Sequence, residues 1–272
     1  MKVVLFCGGL GTRLREHSDT IPKPLVPIGH RPILWHLMRY YAHYGHTEFI
    51  LCLGYRGGLV REYFLNYEEA MTNDFTLHGT DHRVELHSRD LQGWKITFVD
   101  TGLHSNIGQR LLRVRQFVEG EDAFLANYAD GLSDLPLDRY LRWFQDRDAV
   151  TGFTSVPNCQ SFHAVHAGDD GMVTQLGAMP DQQVRVNGGF FVMRPQVFDY
   201  IREGEELVER PFGRLIAERK LAAFRWDGFW QCMDTFKDKI GFDRMEARGD
   251  CPWMIWKGSA AGTPNEPGTT RR

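Results

Sequence analysis

The chain lacks the sequence features that mark secreted, zinc-chelating and membrane-spanning proteins. Its five cysteines lie far apart, are odd in number and form no C-x-x-C pair, which argues against a disulfide framework and against a cysteine zinc site. The chain has no uninterrupted run of about 18 apolar residues, the length that a helix needs to cross a bilayer. The N-terminus also lacks the basic and apolar segments of a secretory signal. We therefore expect a cytoplasmic protein with reduced thiols and no membrane partner.

An excess of positive charge is also missing. The 32 lysines and arginines are set against 35 aspartates and glutamates, so the net charge is −3. Such a chain has no basic field to hold a nucleic acid through its phosphates, and we expect no polymeric nucleic-acid partner.

The 272 residues, 42% of them hydrophobic, suffice for one α/β domain or for two smaller domains. No internal repeat or clear linker divides the chain. We predict a single domain with small insertions over residues 1–258. A disordered tail is predicted over residues 259–272, because that stretch is rich in Gly, Pro, Thr and Ser and has no apolar periodicity.

Strand-like and helix-like patterns alternate along the first hundred residues. A strand at Lys2–Phe6 leads through a glycine loop to a helix at Pro32–Tyr41, a strand at Glu48–Tyr55 and a helix at Leu59–Phe64. This β-α-β-α order predicts an α/β fold in which crossover helices connect the strands of a parallel sheet.

The same patterns predict further elements in the rest of the chain. The predicted strands are Trp94–Val99, Ala123–Tyr128, Val150–Val156, Val186–Met193, Leu221–Phe224 and Gly228–Trp230, the predicted helices are Leu111–Val118, Asp138–Asp146 and Pro211–Arg219, and a hairpin is predicted between Phe162–His166 and Met172–Leu176. The stretch Asn66–Gly93 is an irregular insertion, whose clustered histidines match no standard metal-ligand spacing.

The most informative segment joins the first strand to the first helix. It reads CGGLGTR over residues 7–13 and leads to PKP over residues 22–24. Three glycines within four residues let the backbone present bare N–H groups to anionic oxygens, while Arg13 and Lys23 supply positive charge. The spacing fits neither the Rossmann nor the Walker loop. The segment predicts a phosphate cradle, with a plain glycine turn as the alternative.

Two aspartates extend this interpretation. Asp130 and Asp234 each follow a predicted strand, and ligands of open α/β sheets bind beyond the carboxyl ends of the strands. Mg²⁺ prefers oxygen ligands and completes its shell with substrate phosphates. The cradle and the aspartates therefore favour phosphoryl or nucleotidyl chemistry on a nucleoside triphosphate, although spacing alone leaves open whether the two carboxylates meet.

Further motifs are distributed from residue 1 to about residue 256. They are GGLGTR (8–13), PKPL (22–25), PILWH (32–36), YRG (55–57), VDTG (99–102), RL (110–111), YADG (128–131), NGGFF (187–191) and GFWQCMDT (228–235). Together they resemble the sugar-1-phosphate nucleotidylyltransferases, and most closely the glucose-1-phosphate cytidylyltransferases. The resemblance implies a Rossmann-like mixed, mainly parallel sheet flanked by helices, of the nucleotide-diphospho-sugar transferase type.

The resemblance also implies an activity. An oxygen of a sugar-1-phosphate, such as glucose-1-phosphate, would attack the α-phosphorus of a nucleoside triphosphate, and pyrophosphate would leave. The resemblance implies CTP as that triphosphate. Mg²⁺ is the implied cofactor, and Asp130 and Asp234 are its implied ligands. The implied nucleotide-binding residues are Gly8, Gly9, Gly11, Thr12, Arg13, Lys23, Ser105 and Arg110; the implied substrate-binding residues are Tyr128, Asn187 and Gly188, with Arg185; and the implied catalytic residues are Arg13, Lys23 and Asp130.

Two other expectations accompany that activity. We assign no chemical role to any histidine, because a sugar phosphate is already an ionised nucleophile. Since relatives assemble as trimers or hexamers, the resemblance also implies a homo-oligomer, to which residues 66–93 would contribute contacts.

The acceptor side departs from the family pattern. The family's Glu-Lys-Pro, whose lysine contacts the sugar phosphate, is replaced by LGAMP over residues 176–180, and Arg185 is the nearest candidate substitute. Smaller departures are Ala129 in place of glycine, SFHA over 161–164 and NIGQ over 106–109. They leave open a different hexose, heptose or alditol phosphate acceptor, another nucleoside triphosphate, and a catalytically silent nucleotide-binding regulatory subunit.

Overall fold

The computed structural model describes residues 1–9, 21–158, 163–167, 172–178 and 184–260. In these ranges the strands are β1 (Val3–Phe6), β2 (Pro27–Ile28), β3 (Arg31–Pro32), β4 (Glu48–Leu53), β5 (Phe75–Leu77), β6 (Val84–Leu86), β7 (Lys95–Asp100), β8 (Phe124–Tyr128), β9 (Gly131–Ser133), β10 (Thr151–Pro157), β11 (His163–Ala167), β12 (Val173–Ala178), β13 (Arg185–Asn187), β14 (Phe191–Met193), β15 (Leu221–Arg225) and β16 (Trp230–Cys232). The α-helices are α1 (Ile33–His43), α2 (Gly57–Leu65), α3 (Ile107–Arg113), α4 (Arg115–Val118), α5 (Leu137–Gln145), α6 (Arg210–Ala217) and α7 (Phe236–Ala247), and short 3-10 helices lie at Lys23–Leu25, Glu69–Met71, Pro195–Tyr200 and Ile255–Ala260.

One central sheet organises the molecule. Strands β7, β4, β1 and β8 run parallel in that order. Beyond β8, β14 is antiparallel to β8, β10 is antiparallel to β14, and β15 is parallel to β10. The predicted mixed, mainly parallel sheet is thus confirmed, and the carboxyl ends of β1 and β8 lie side by side at one edge.

Both faces of this sheet are covered. Val3 and Leu5 of β1 pack in the core cluster that contains the buried face of α1, whereas Val4 and Phe6 pack in a second cluster with residues of α3, α4 and α6. A strand buried on both faces requires a continuous apolar run, which is what the first strand has. With both faces filled, the carboxyl edge of the strands is left to bind a ligand.

Several elements differ from the sequence predictions; the strand predicted at Gly228–Trp230, for example, is β16 at Trp230–Cys232. The single strand predicted over Val186–Met193 is interrupted, because Gly189 and Phe190 have φ angles of 73° and 49° and break the extended chain between β13 and β14. The helix predicted at Leu111–Val118 is two helices and begins at Ile107, where Asn106 and Gln109 form a capping box. Helix α7 was not predicted, although Thr235 and Asp238 form a capping box at its start.

The insertion and the C-terminus are also partly defined. The irregular insertion contains the antiparallel hairpin β5–β6. The first two residues of the predicted tail, Ser259 and Ala260, end a 3-10 helix, and residues 261–272 lie outside the described residues. Within the described ranges, every helix is too short or too polar to traverse a bilayer.

Candidate active site

Lys23 lies between the two aspartates that were predicted to bind metal. Its Nζ atom donates to Asp130 Oδ2 at 2.5 Å and to Asp234 Oδ1 at 2.6 Å. Lys23 begins a 3-10 helix and lies between Pro22 and Pro24. The two prolines restrict the backbone from which the lysine side chain extends. The structure therefore brings together three predicted site residues that are up to 211 positions apart in sequence.

A short two-stranded ladder brings the two carboxylates together. Asp130 directly precedes β9, and Asp234 follows β16 by two residues. The two strands pair antiparallel, with Cys232 opposite Gly131, and Met233 N donates to Asp130 O at 2.8 Å. Because the ladder reaches Asp130 and the residue before Asp234, it holds the backbones of the two aspartates close together.

The electrostatics of this centre favour a cation between the carboxylates. Burial alone would lower the pKa of Lys23, but the charges and hydrogen bonds of Asp130 and Asp234 outweigh it and raise the pKa above its ordinary value. Two aspartates at this spacing provide the hard oxygen donors that a divalent cation such as Mg²⁺ binds, and substrate phosphates would complete its shell, so the residues fit such an ion. Within the described ranges, no group of three or more His, Cys, Asp or Glu side chains is placed to hold a metal ion.

The glycine loop begins directly above a buried arginine. Gly8 O accepts from Arg110 Nη2 at 2.9 Å, and a Cβ on Gly8 would fall 2.0 Å from Arg110 Nη1. Any side chain at position 8 would therefore clash with the guanidinium, whereas Gly9 has open space beside it. The remaining cradle residues, Gly11, Thr12 and Arg13, lie outside the described residues.

Arg110 supports the loop from below. Its guanidinium donates to Leu53 O, Thr101 Oγ1 and Gly102 O as well as to Gly8 O, and the residue is only 3% exposed. Burial lowers its pKa from the usual arginine value. With these donors engaged by the protein, the structure assigns Arg110 a supporting position under the predicted nucleotide site.

A cavity of about 240 Å³ runs from the Lys23 centre toward the start of α3. Its walls include Cys7, Gly9, Lys23, Ser105, Asn106, Arg110, Tyr128, Ala129, Asp130 and Glu206. Six residues predicted to bind substrate or metal thus share one cavity. Glu206 was not predicted: it accepts from Ile107 N at 3.3 Å. In the sequence it is one of four glutamates between residues 203 and 209, and nothing in that stretch distinguishes it as a cavity residue.

The predicted acceptor residues lie on the interrupted strand. Asn187 Nδ2 is 3.5 Å from the hydroxyl of Tyr128, a residue of the cavity wall. This contact places Asn187, and Gly188 after it, beside the cavity. Burial raises the pKa of Tyr128, so its hydroxyl stays protonated.

Arg185 has a different environment from the one expected of a phosphate ligand. Its guanidinium donates to Ser155 Oγ, Ser155 O, Trp226 O and Asp227 Oδ1. These contacts connect β13 to β10 and to the segment before β16. Arg185 therefore stabilises the strand that carries Asn187.

Comparison with known proteins gives a consistent assignment. Residues 2–231 match the family model described as Nucleotidyl transferase. A probable glucose-1-phosphate cytidylyltransferase of Bacillus subtilis (strain 168) is 37% identical over 258 residues, which span 94% of this chain and the whole relative. The glucose-1-phosphate cytidylyltransferase of Salmonella typhi is 38% identical over 259 residues, again 94% of this chain and the whole relative.

Solved structures agree on the fold. A putative glucose-1-phosphate thymidylyltransferase from Bacillus anthracis superposes with a TM-score of 0.64 at 17% identity, covering 90% of this chain and 94% of that chain. UDP-glucose pyrophosphorylase complexed with UDP-glucose superposes with a TM-score of 0.65 at 16% identity, covering 91% of this chain and 98% of that chain. The resemblance carried by the sequence motifs is confirmed, and the chain belongs to the nucleotidyl transferase family as a sugar-1-phosphate nucleotidylyltransferase.

Proposed function

We propose that this enzyme transfers CMP from CTP to glucose-1-phosphate in a Mg²⁺-dependent reaction, forming CDP-glucose and pyrophosphate. The observation that carries the proposal is the centre of Lys23, Asp130 and Asp234 at one end of the cavity. The choice of CTP and glucose-1-phosphate follows the names of the relatives that match nearly the whole chain. For the metal, nucleotidyltransferases of this kind generally use a divalent cation.

The reaction needs charge neutralisation and alignment more than proton transfer. An oxygen of the acceptor phosphate forms a bond to the α-phosphorus while the bond from that phosphorus to the oxygen bridging to the β-phosphate breaks, and pyrophosphate leaves with the electron pair. The acceptor is already ionised, so no base is required. None of the described residues that line the cavity is a histidine.

In this proposal each site residue has one task. Asp130 and Asp234 hold the divalent cation, which when bound neutralises charge on the reacting phosphates. Gly8 and Gly9, continued by Gly11, Thr12 and Arg13, present backbone and side-chain donors to the triphosphate. Lys23 supplies a further positive charge at the reacting phosphates, and Ser105, above Arg110, faces the nucleotide.

Tyr128, Asn187 and Gly188 face the sugar in the same proposal. Asn187 and the hydroxyl of Tyr128 offer donors and acceptors for sugar hydroxyls. Arg185 keeps the strand of Asn187 in place through its four acceptors, so we propose it as a support of the sugar site.

A pyrophosphate-release assay with four nucleoside triphosphates and a panel of sugar phosphates tests the proposal. We expect turnover with CTP and glucose-1-phosphate in Mg²⁺, and loss of turnover in Asp130→Asn and Asp234→Asn. Asp148→Asn is the matched control, because Asp148 is exposed and pairs with Lys220 next to the start of β10. Folded wild-type protein that binds CTP in calorimetry but shows no turnover with any pair would favour the silent regulatory subunit instead.

A different acceptor is the second candidate. It is favoured by LGAMP at residues 176–180, which lacks the family lysine, together with the engagement of Arg185 within the protein. The same panel of sugar phosphates decides between the two acceptors, since an ordinary rate with glucose-1-phosphate removes the reason for this alternative.

The homo-oligomer implied by the resemblance is likewise proposed, and light scattering that shows a monomer would contradict it.

A further inference from the structure

The turn that presents Asn187 has an unusual backbone. Between Gly152 and Ser155 of β10 there are three steps along the chain, but between their partners Val192 and Asn187 there are five, so two extra residues bulge out. Gly189 and Phe190 in this bulge both have left-handed φ angles, of 73° and 49°. A phenylalanine adopts that conformation only where its surroundings impose it.

Hydrogen bonds from three directions impose the conformation. Gly188 N donates to Thr154 O at 2.8 Å, and Thr154 N donates to Gly189 O at 3.0 Å. From β8, Asn127 Oδ1 accepts from Phe190 N at 3.0 Å in a fully buried contact. From within the turn, Asn187 Oδ1 accepts from Gly189 N at 2.9 Å. Together these bonds hold the amides of Gly188, Gly189 and Phe190 and the carbonyl of Gly189, but not the carbonyl of Gly188.

The Gly188 carbonyl is held by a side chain of the two-stranded ladder of β9 and β16, which carries Asp130 and Asp234 at one end. Trp230 Nε1 donates to Gly188 O at 2.8 Å. Trp230 belongs to β16, four residues before Asp234, and lies opposite Ser133 of β9. A Cβ on Gly131 would lie 3.8 Å from the same indole nitrogen, so the indole also lies against the residue that follows Asp130. One side chain thus contacts both the bulge and the backbone beside the metal carboxylates.

We propose that Trp230 is a positioning residue that fixes the sugar-binding bulge relative to Asp130 and Asp234. This inference rests on the proposed function, with the sugar ring of a hexose-1-phosphate or a related sugar phosphate as the ligand of the bulge. The peptide unit between Gly188 and Gly189 is held at two points: its carbonyl accepts from Trp230 Nε1, and its Gly189 N–H donates to Asn187 Oδ1 at 2.9 Å. Because Gly188 has no side chain to restrict the unit, loss of the indole bond would leave only the Asn187 side chain to hold it. The indole N–H would thereby fix both this peptide unit and the Asn187 side chain relative to Asp130 and Asp234, and so the distance between the acceptor and the triphosphate, which in-line transfer requires to be short.

Trp230→Phe removes the N–H donor and keeps an aromatic ring. We expect the KM for the sugar phosphate to rise about three- to tenfold, the range of one lost hydrogen bond, while the KM for the nucleoside triphosphate stays within twofold. Trp226→Phe is the matched control: its indole donates to Asp134 Oδ1 and Phe229 O, so the same chemical change should leave the acceptor KM unaltered.

Amide hydrogen exchange provides a readout that needs no turnover. In Trp230→Phe the amides of Gly189 and Phe190 should exchange faster than in the wild type, and in Trp226→Phe they should not. Unchanged exchange together with an unchanged acceptor KM overturns the proposal, as does an equal rise of both KM values. If the phenylalanine variant does not fold, Trp230→Tyr, whose hydroxyl restores a donor, is compared by the same two measurements. A wrong substrate assignment would appear separately: the wild type would show no turnover, while amide exchange at Gly189 and Phe190 would still be faster in Trp230→Phe than in Trp226→Phe.

Discussion

Removal of the Lys23 ammonium should have opposite effects on metal binding and on catalysis. This ammonium lies within 2.6 Å of both Asp130 and Asp234, the proposed ligands of the divalent cation. A divalent cation at these carboxylates and the Lys23 ammonium would repel each other, so under the proposed function metal binding would displace the lysine. We predict that Lys23→Met binds Mn²⁺ more tightly than the wild type in the absence of nucleotide, yet loses turnover.

The magnitude follows from the two ion pairs. Unit charges about 4 Å apart interact by roughly 4 kcal/mol at an effective dielectric constant of about 20, and pairs in full solvent contribute about 0–1 kcal/mol. The Lys23 side chain is 14% exposed, and those of Asp130 and Asp234 are 26% and 36% exposed, so solvent screens each pair in part. Displacing the lysine should therefore cost about 1–3 kcal/mol, which corresponds to roughly five- to a hundredfold in Mn²⁺ affinity.

Electron paramagnetic resonance of free Mn²⁺, titrated with nucleotide-free protein, measures this affinity directly. Lys220→Met serves as the control, because Lys220 also pairs with an aspartate, Asp148, but beside the start of β10. In the same preparations kcat/KM should fall about a hundredfold or more in Lys23→Met, since a positive charge at the reacting phosphates is lost. Mn²⁺ affinity equal to or weaker than that of the wild type, in a variant with a native thermal transition, would refute the assignment of Lys23 to the metal position.

Two further predictions concern stability. Burial lowers the pKa of His36 to about 4 against about 6.5 for an unfolded chain, so the unfolded state binds more protons between these values and stability falls as pH drops from about 6.5 to 4. Urea denaturation should show wild-type protein losing about 2 kcal/mol more than His36→Gln between pH 7.5 and pH 5, and equal losses would contradict the buried neutral histidine. Gly189→Ala should lower thermal stability by about 1–3 kcal/mol, because the new Cβ would fall 2.4 Å from Asn127 Oδ1 at a left-handed φ. Gly213→Ala in α6, where a Cβ meets no atom within 4 Å, should instead be neutral or slightly stabilising, measured by the same thermal scan.

The sequence predicts that Gly9, Lys23 and Asp130 lie close together, as the structure has them, because the signals for that proximity are local. Gly8, Gly9 and Lys23 lie within 16 positions of one another in sequence, and the rule that ligands bind beyond parallel strands places Asp130 at the same edge. The meeting of Asp130 with Asp234 does not follow from sequence spacing. It depends on the pairing of β9 with β16, two three-residue strands too short to give a periodic signal.

The contact between Trp230 and the turn at Gly188 could not be predicted from the sequence, because it too joins distant segments of the chain. Trp230 occurs in a recognisable motif, but the motif does not indicate that its indole N–H reaches Gly188 across 42 positions. The break between β13 and β14 did have a local signal, because two adjacent glycines, Gly188 and Gly189, within an apolar run indicate a turn or bulge rather than a continuous strand. The Thr235 and Asp238 capping box is likewise a local signal from which α7 could have been predicted.

The position of Arg185 limits how this enzyme can hold its acceptor. A phosphate oxygen would have to compete with the oxygens of Ser155, Trp226 and Asp227 for the same guanidinium. Two of those acceptors are backbone carbonyls of packed segments, whose loss would leave polar groups unpaired. Asp227 differs, because its side chain is 56% exposed and also pairs with Arg225. Release of Asp227 alone would free one Nη1 donor without breaking the contacts that hold β13. If Arg185 replaces the family lysine, it therefore does so through that single donor, as a weaker phosphate ligand than the forked contact its sequence position suggests.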